Sequence, residues 1–171
     1  FGILERNITG CQIITENGTY VQTDNLYGAP NDASEIKYFG YACVKIAASN
    51  VVYDCNGYNI TYDGSMPIGV EFYGVLLNGS IRNVTVKNCK GIMNYTNGIH
   101  VFDSNSSTLE NVSITNNSNG IYVERANNLS IIDTVSYNNS QDGLILNNSN
   151  GTLIDPSHFH DNGANGINLN N

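Results

Sequence analysis

The sequence predicts an all-β solenoid whose coils stack in parallel, with about 22–24 residues per coil. Three observations predict it. An element of glycine followed by apolar, variable and apolar residues occurs five times: Gly74-Val75-Leu76-Leu77, Gly98-Ile99-His100-Val101, Gly120-Ile121-Tyr122-Val123, Gly143-Leu144-Ile145-Leu146 and Gly166-Ile167-Asn168-Leu169. From Gly74 to Gly166 these glycines return at a nearly constant interval, which marks a repeat architecture. The third observation is composition: 29 Asn and 17 Gly in 171 residues, recurring every few positions, exclude a helical bundle, since both are poor helix formers.

Each element follows from local pattern. The first and third residues after each repeat glycine are always apolar and the middle one varies, which is the period-two signature of a strand with one buried face. Val75, Ile99, Ile121, Leu144 and Ile167 are expected to form one inward column, and Leu77, Val101, Val123, Leu146 and Leu169 the next. The variable residues Leu76, His100, Tyr122, Ile145 and Asn168 are expected to face outward. A second β-rich stretch follows in most repeats: Ile81–Val86, Leu109–Ile114 and Leu129–Val135. The pairs Asn97-Gly98, Asn119-Gly120, Asn150-Gly151 and Asn165-Gly166 read as corners, because Asn and Gly tolerate left-handed backbone. Hairpins would join unlike strands, whereas here the same strand returns each period, so stacking like on like is the more economical reading.

Residues 1–42 precede the clear repeats and 43–171 carry them. In the first segment, Cys11–Thr15 and Thr19–Thr23 read as two short strands about Asn17-Gly18. Asn25–Phe39 reads as a loop with a short helical turn at Asp32–Lys37. This segment is expected to be an N-terminal cap or flap over the open end of the solenoid.

The Asn-Gly-Ile-x-Val segments, the Asn83-Val-Thr-Val-Lys-Asn88 segment and the stretch Cys43–Ile60 resemble the right-handed parallel β-helix repeat proteins. Gly18-Thr-Tyr-Val-Gln-Thr-Asp24 and Cys43–Ile60 look like the first coil of archaeal surface members of this pectate-lyase-like superfamily. The resemblance covers roughly residues 43–171 and implies a right-handed parallel β-helix. Its members include pectate lyases, polygalacturonases, mannuronan epimerases and nitrous-oxide-reductase maturation proteins, so it carries fold more than function.

Charge and cysteine content narrow the classes. A formal charge of −8 argues against nucleic-acid partners, and no apolar run is long enough to span a membrane. The chain starts at Phe1, which reads as a mature chain with its signal peptide removed or as an expressed piece of the protein. Cys11, Cys43, Cys55 and Cys89 form no Cys-x-x-Cys pair, so disulfides are the simpler reading and point to an extracellular location. Three pairings are possible; Cys11–Cys43 with Cys55–Cys89 is favoured because each joins nearby segments.

No complete catalytic set emerges. Polygalacturonase-like chemistry would need paired Asp on neighbouring coils with a His and Arg-x-Lys, and Asn-Thr-Asp, Asp-Asp and Gly-His-Gly are all missing. Lyase chemistry would need clustered Asp and a base, and the repeat region holds few cations, Arg82, Lys87, Lys90 and Arg125 among them. Asp155-Pro-Ser-His158 is only a faint match to the epimerase Asp-Pro-His-Asp set. His158 and His160 share a strand face but fall short of a zinc ligand set. Asp103, Glu124, Asp133, Asp142 and Asp161 read as solvated turn acids; calcium is possible there but unsupported, with no calcium-loop motif. No resident cofactor or metal is expected.

The strongest chemical signal is the sequon Asn-x-Ser/Thr. Thirteen start at Asn7, Asn17, Asn59, Asn78, Asn83, Asn94, Asn105, Asn111, Asn116, Asn128, Asn138, Asn147 and Asn150. Random placement of 29 Asn among 25 Ser and Thr would give about four. Glycans must face solvent, and Asn7, Asn59, Asn78, Asn94, Asn105, Asn116, Asn128, Asn138 and Asn147 are the sites expected to carry them. Asparagines without glycans are expected to form stacked amide ladders. Ile167 and Leu169, in the last coil, are expected to present an apolar row and strand edge; either the chain is a fragment of a longer one, or a second copy docks there and builds a head-to-tail homopolymer, the reading preferred here. The expected function is therefore an extracellular, glycosylated surface-layer or filament subunit. The alternatives are a β-helix protein that binds or cleaves polysaccharide, Tyr53, Tyr58, Tyr62, Tyr73 and Tyr122 offering rings to sugars, or an adhesin.

Overall fold

A computed structural model describes residues 4–33, 40–65 and 69–170, and among these every regular element is a β-strand. The strands form a parallel β-helix with three faces. Face one runs through Glu5–Ile8, Gly18–Gln22, Val51–Asp54, the start of Val84–Met93, the start of Thr108–Thr115, Ser130–Ile132 and Leu153–Asp155. Face two takes Leu26–Tyr27, Asn59–Thr61, the ends of the two long strands, Val135–Tyr137 and His158–His160. Face three is a separate sheet of Gln12–Ile14, Gly40–Ile46, Glu71–Arg82, Asn97–Asn105, Asn119–Glu124, Leu144–Asn147 and Ile167–Asn170.

The register on face three is the one the repeat predicts. Val75 pairs with Ile99, Ile99 with Ile121, Ile121 with Leu144 and Leu144 with Ile167; Leu77, Val101, Val123, Leu146 and Leu169 pair in the same order. Val44 and Ile46 extend both columns upward. From Val44 to Leu144 the first column is completely buried, and each such side chain contributes about 1.5–3 kcal/mol of transfer free energy. Val51, Val84, Val86, Leu109 and Ile131 fill the core from face one, and Ile60, Ile92 and Ile114 from face two.

The repeat glycines do something other than expected. Asn97-Gly98 and Asn119-Gly120 start strands rather than turn corners, and neither glycine has positive φ. Glycine is required by close approach: a Cβ on Gly98 would lie 2.9 Å from the Gly120 carbonyl oxygen, and one on Gly120 2.5 Å from that of Gly143. Only Asn150-Gly151 is a left-handed corner as expected, with Gly151 at φ 67. Among the described residues the corners proper are made by sixteen non-glycine residues with positive φ, ten of them Asn and three Asp. They fall into four columns: Ser80, Asp103, Arg125 and Asn148; Asn50, Asn83, Ser106 and Asn128; Asn56, Asn88, Asn111 and Asp133; Asn94, Asn116, Asn138 and Asp161. Short polar side chains suit this conformation because they bond locally where a longer chain would strain. Arg125 is the exception, and its guanidinium lies 4.5 Å from the Phe102 ring centre.

Parallel pairing begins well before residue 43. Glu5–Ile8 pairs with Gly18–Gln22, and that strand with Val51–Asp54, so the segment expected to cap the solenoid contributes to its ladders. Its two expected strands are present but belong to different faces. Leu26–Tyr27 and Asn31–Asp32 are short strands within the expected loop; most of the expected helical turn at 32–37 lies outside the described residues. Asn31–Asp32 folds antiparallel onto Tyr41–Ala42. The adjoining Ala33 packs with Ala42, Tyr73, Leu76 and Phe102 in a second small core on the outside of face three.

Both disulfides join stacked positions of successive coils. Cys11–Cys43 adjoins the Gln12–Val44 register pair, and Cys55–Cys89 follows the Asp54–Lys87 pair. The favoured pairing is the one formed.

Candidate functional site

Two kinds of surface carry chemistry: the asparagine corners and the outer side of face three. At the corners, six sequon asparagines (Asn83, Asn94, Asn111, Asn116, Asn128 and Asn138) are exposed and left-handed. The motif Asn116-Asn117-Ser118 and its successor Asn138-Asn139-Ser140 divide the labour. The first Asn turns the corner outward and the second is buried. Asn139 Oδ1 accepts from the Asn117 backbone N–H at 3.0 Å, while its Nδ2 donates to Asn162 Oδ1 at 2.9 Å and to Ser136 Oγ at 3.0 Å. These are internal amide ladders of the expected kind. Other rungs lie outside, Asn83 to Asn50 at 2.8 Å and Asn111 to Asn88 at 3.0 Å.

Asn7, Asn17 and Asn150 are also exposed, and Asn59, Asn105 and Asn147 are half-buried. Asn78 departs from expectation: it is a mid-strand residue on the outer side of face three, in register with Phe102, and is buried with 6% exposure, which is incompatible with a glycan on the folded chain. A surface depression of about 410 Å³ follows the corner of Asn94, Asn116 and Asn138. A second, of about 250 Å³, lies by Asn88, Lys90 and Asn111.

The outer side of face three is where the sequence reading missed a cluster. Leu76, His100, Tyr122, Ile145 and Asn168 stack in register as predicted. Yet Leu76, His100 and Ile145 are buried rather than solvent-facing. Around His100, with 2% exposure, stand Tyr73 edge-on at 4.9 Å between ring centres, Tyr122 at 5.0 Å and Phe102 at 6.3 Å. Among the described residues, neither ring nitrogen of His100 has a hydrogen-bond partner. Leaving such groups unsatisfied costs about 1–3 kcal/mol apiece. Burial alone pushes the imidazole pKa down to about 3, so the ring is neutral at ordinary pH.

His100 borders a cavity of about 110 Å³ with Glu71, Thr96, Asn97, Asn119 and Tyr122. Glu71 Oε2 accepts from the Tyr73 hydroxyl at 2.6 Å. Asn119 Nδ2 donates to Asn97 Oδ1 at 3.1 Å, and Thr96 Oγ1 accepts from the Phe72 N–H at 3.0 Å. Just below, Asp142 accepts from the Asn165 and Asn168 side chains at 2.7 and 3.0 Å. Burial acts to raise its pKa, but these bonds outweigh it and the carboxyl lies below its usual value. Asp142 is thus a buried rung of the fold rather than a solvated turn acid.

A family model described as a right-handed β-helix region matches residues 69–171. The chain belongs to the right-handed β-helix family. No curated protein matches it. The family assignment adds handedness to the three-faced stack, while the site residues have to be judged on this chain's own geometry. Among the described residues no cluster of three or more His, Cys, Asp or Glu could hold a metal ion. His158 and His160 do share one exposed strand face, with His160 stacked on Tyr137 and its Nδ1 2.8 Å from Asp161. Asp155 stands exposed at a strand end. No described helix is long and apolar enough to cross a membrane.

Proposed function

We propose that the protein is an extracellular, N-glycosylated structural β-helix, a surface-layer or filament subunit whose copies stack coil on coil. The observation that carries this reading is the position of six sequon asparagines on exposed left-handed corners, where a glycan projects into solvent clear of the internal Asn117, Asn139 and Asn162 ladder. Two disulfides support an oxidising compartment. Stacking is supported by the parallel ladder of face three, which runs in register coil on coil from Gln12–Ile14 to Ile167–Asn170, a pairing geometry that a second copy can continue. Parallel strand edges of this kind accept a further coil.

Intact-mass measurement of native material tests the first half. A heterogeneous mass well above that of the bare polypeptide is expected, with glycopeptides at the corner asparagines and none at Asn78; the bare mass overturns it. Electron microscopy of the same material tests the second half, with end-to-end assemblies expected and a strictly monomeric species as the contrary result.

A further inference from the structure

We infer that Asn150-Gly151 is a site of spontaneous covalent modification, where the folded chain converts asparagine to aspartate and isoaspartate through a cyclic imide. The inference uses neither glycosylation nor assembly, and concerns the 171-residue chain as a monomer.

The step needs two groups free at once. The backbone nitrogen of the residue after Asn attacks the side-chain carbon Cγ and gives up its proton. A C–N bond forms, the Cγ–Nδ2 bond breaks, and Nδ2 leaves as ammonia with that proton. Water then opens the imide, at the Cγ carbonyl to give aspartate or at the backbone carbonyl to give isoaspartate. Glycine is the most permissive following residue, because it has no side chain to obstruct the attack. A nitrogen whose N–H is held in a ladder, or an amide locked in a rung, is withheld from it.

The chain has eight Asn-Gly pairs, and the fold withholds seven. Gly18, Gly57, Gly120 and Gly163 donate their N–H groups to the carbonyls of Asn50, Asn88, Asp142 and Asn139 at 3.2, 2.8, 2.9 and 2.9 Å. Asn78 and Asn97 are buried, with 6% and 3% exposure. Asn165 Nδ2 is held by Asp142 Oδ1 at 2.7 Å. Asn150 and Gly151 are both exposed, and among the described residues neither the Asn150 side chain nor the Gly151 N–H has a hydrogen-bond partner.

The corner explains why the open pair falls here. The same corner reads Arg82-Asn83, Asn105-Ser106 and Asn127-Asn128 in the preceding coils, each second residue being left-handed. Asn83, Ser106 and Asn128 pass their N–H groups to the carbonyls of Asn105, Asn127 and Asn150 at 3.1, 2.8 and 2.9 Å. The Asn105 amide is also occupied, its Oδ1 accepting from the Asn127 N–H and Nδ2 at 3.0 and 3.1 Å. Gly151 comes next in this row, and among the described residues no further carbonyl follows to take its N–H. Glycine is imposed there twice over: φ is 67, and a Cβ would lie 2.7 Å from Asn128 Oδ1. The close corner thus demands the one residue that leaves Asn150 open to attack. Isoaspartate adds a methylene to the main chain at the carbonyl that Asn128 bonds, and either product removes the Asn150 sequon.

Peptide mapping by mass spectrometry tests this on the monomeric full chain, made without glycans and held for weeks at physiological temperature and mildly alkaline pH. The Asn150 peptide is expected to acquire its aspartate and isoaspartate forms about tenfold or more faster than the peptides of Asn56, Asn119 and Asn162. Asn150→Gln, whose longer side chain closes the ring poorly, is expected to remove most of the isoaspartate from the folded chain. With disulfides reduced and the chain in denaturant, the preference for Asn150 is expected to disappear. An unmodified Asn150 in the folded chain, or faster reaction at another Asn-Gly pair, overturns the proposal. So does a preference for Asn150 that persists in denaturant, which would place its cause in local sequence rather than in the fold.

Discussion

Coils up to Met93 and coils after it differ in length and in what ties them together. On face one, Gly18 pairs with Val51 and Val51 with Val84, each a longer step along the chain than those from Thr85 to Thr108 and from Thr108 to Ser130. The additional residues of the early coils enter loops, one of which lays Asn31–Ala33 against the outside of face three. Longer loops are held less tightly by ladder bonds, and both disulfides fall in this half, linking positions 32 and 34 residues apart. The later coils hold no cysteine. There, minimal corners repeat in register and the same amide stacks on itself from coil to coil, as in Asn117, Asn139 and Asn162. Irregular coils are fixed by covalent bonds and an extra apolar patch; regular coils are fixed by periodic hydrogen bonding.

The sharpest way to break this comparison is to open a disulfide. Replacing Cys55 and Cys89 by Ala is expected to lower stability by roughly 3–4 kcal/mol, from the entropy of a loop of this size. Hydrogen exchange should show lost protection through residues 40–93 while the Ile121 and Leu144 strands keep theirs; a uniform loss along the whole chain would mean that the two halves share one source of stability.

Next comes the close glycine stack of the regular half. Gly120→Ala is expected to cost about 1–3 kcal/mol, since the new methyl would run into the Gly143 carbonyl oxygen and the Ser136 hydroxyl. Gly10→Ala, which meets nothing within 4 Å, should stay within about 0.5 kcal/mol of the parent by chemical denaturation. Equal effects would show that the coils breathe enough to admit a methyl group.

Asn139→Ala removes the acceptor of the Asn117 N–H and a donor to Ser136 and Asn162. A loss of about 1–3 kcal/mol is expected from the buried groups left unpaired. Asn138→Gly, one residue away on the exposed left-handed corner at φ 52, should change stability by only a few tenths of a kcal/mol. Similar losses for both would dissolve the division of labour within Asn-Asn-Ser.

The smallest effect under physiological conditions is a pH dependence. His100 is held neutral with a pKa near 3, whereas in the unfolded chain it titrates near 6.5. The unfolded state therefore binds the extra proton first, and stability should fall as pH drops from about 6.5 toward 3, with no contribution above that window. Thermal unfolding of His100→Leu should lack this component, retaining the further loss below about pH 4 that Asp142, whose carboxyl is lowered in the fold, contributes. Parallel pH profiles for the two proteins would show that His100 is accessible to protons in the native state.

Most of the architecture could be read from spacing. A fixed glycine period with alternating apolar residues gives strand, coil length and register together, because a one-residue slip would turn every Val and Ile of the column outward. The Cys55–Cys89 bond was one of three open pairings, favoured because it joins nearby segments; the structure adds that the two cysteines follow the stacked Asp54 and Lys87 positions. The outer cluster was not legible in that way. In sequence, His100 is only one of five variable residues in a row, and nothing local distinguishes it from Tyr122 or Asn168.

By itself the sequence determined a parallel solenoid, its apolar columns, the expectation of disulfides and the abundance of short polar residues for corners. These are properties of period and composition, which survive without knowing what lies across a gap. Only the tertiary structure decided which glycines serve closeness rather than turning, which asparagines face solvent, and that Asn78 does not. It also decided that Ala33 and Phe102 come together with Tyr73 and Leu76 outside face three, next to His100. Burial there depends on segments dozens of residues apart in the chain, and no local pattern encodes the distance at which they meet.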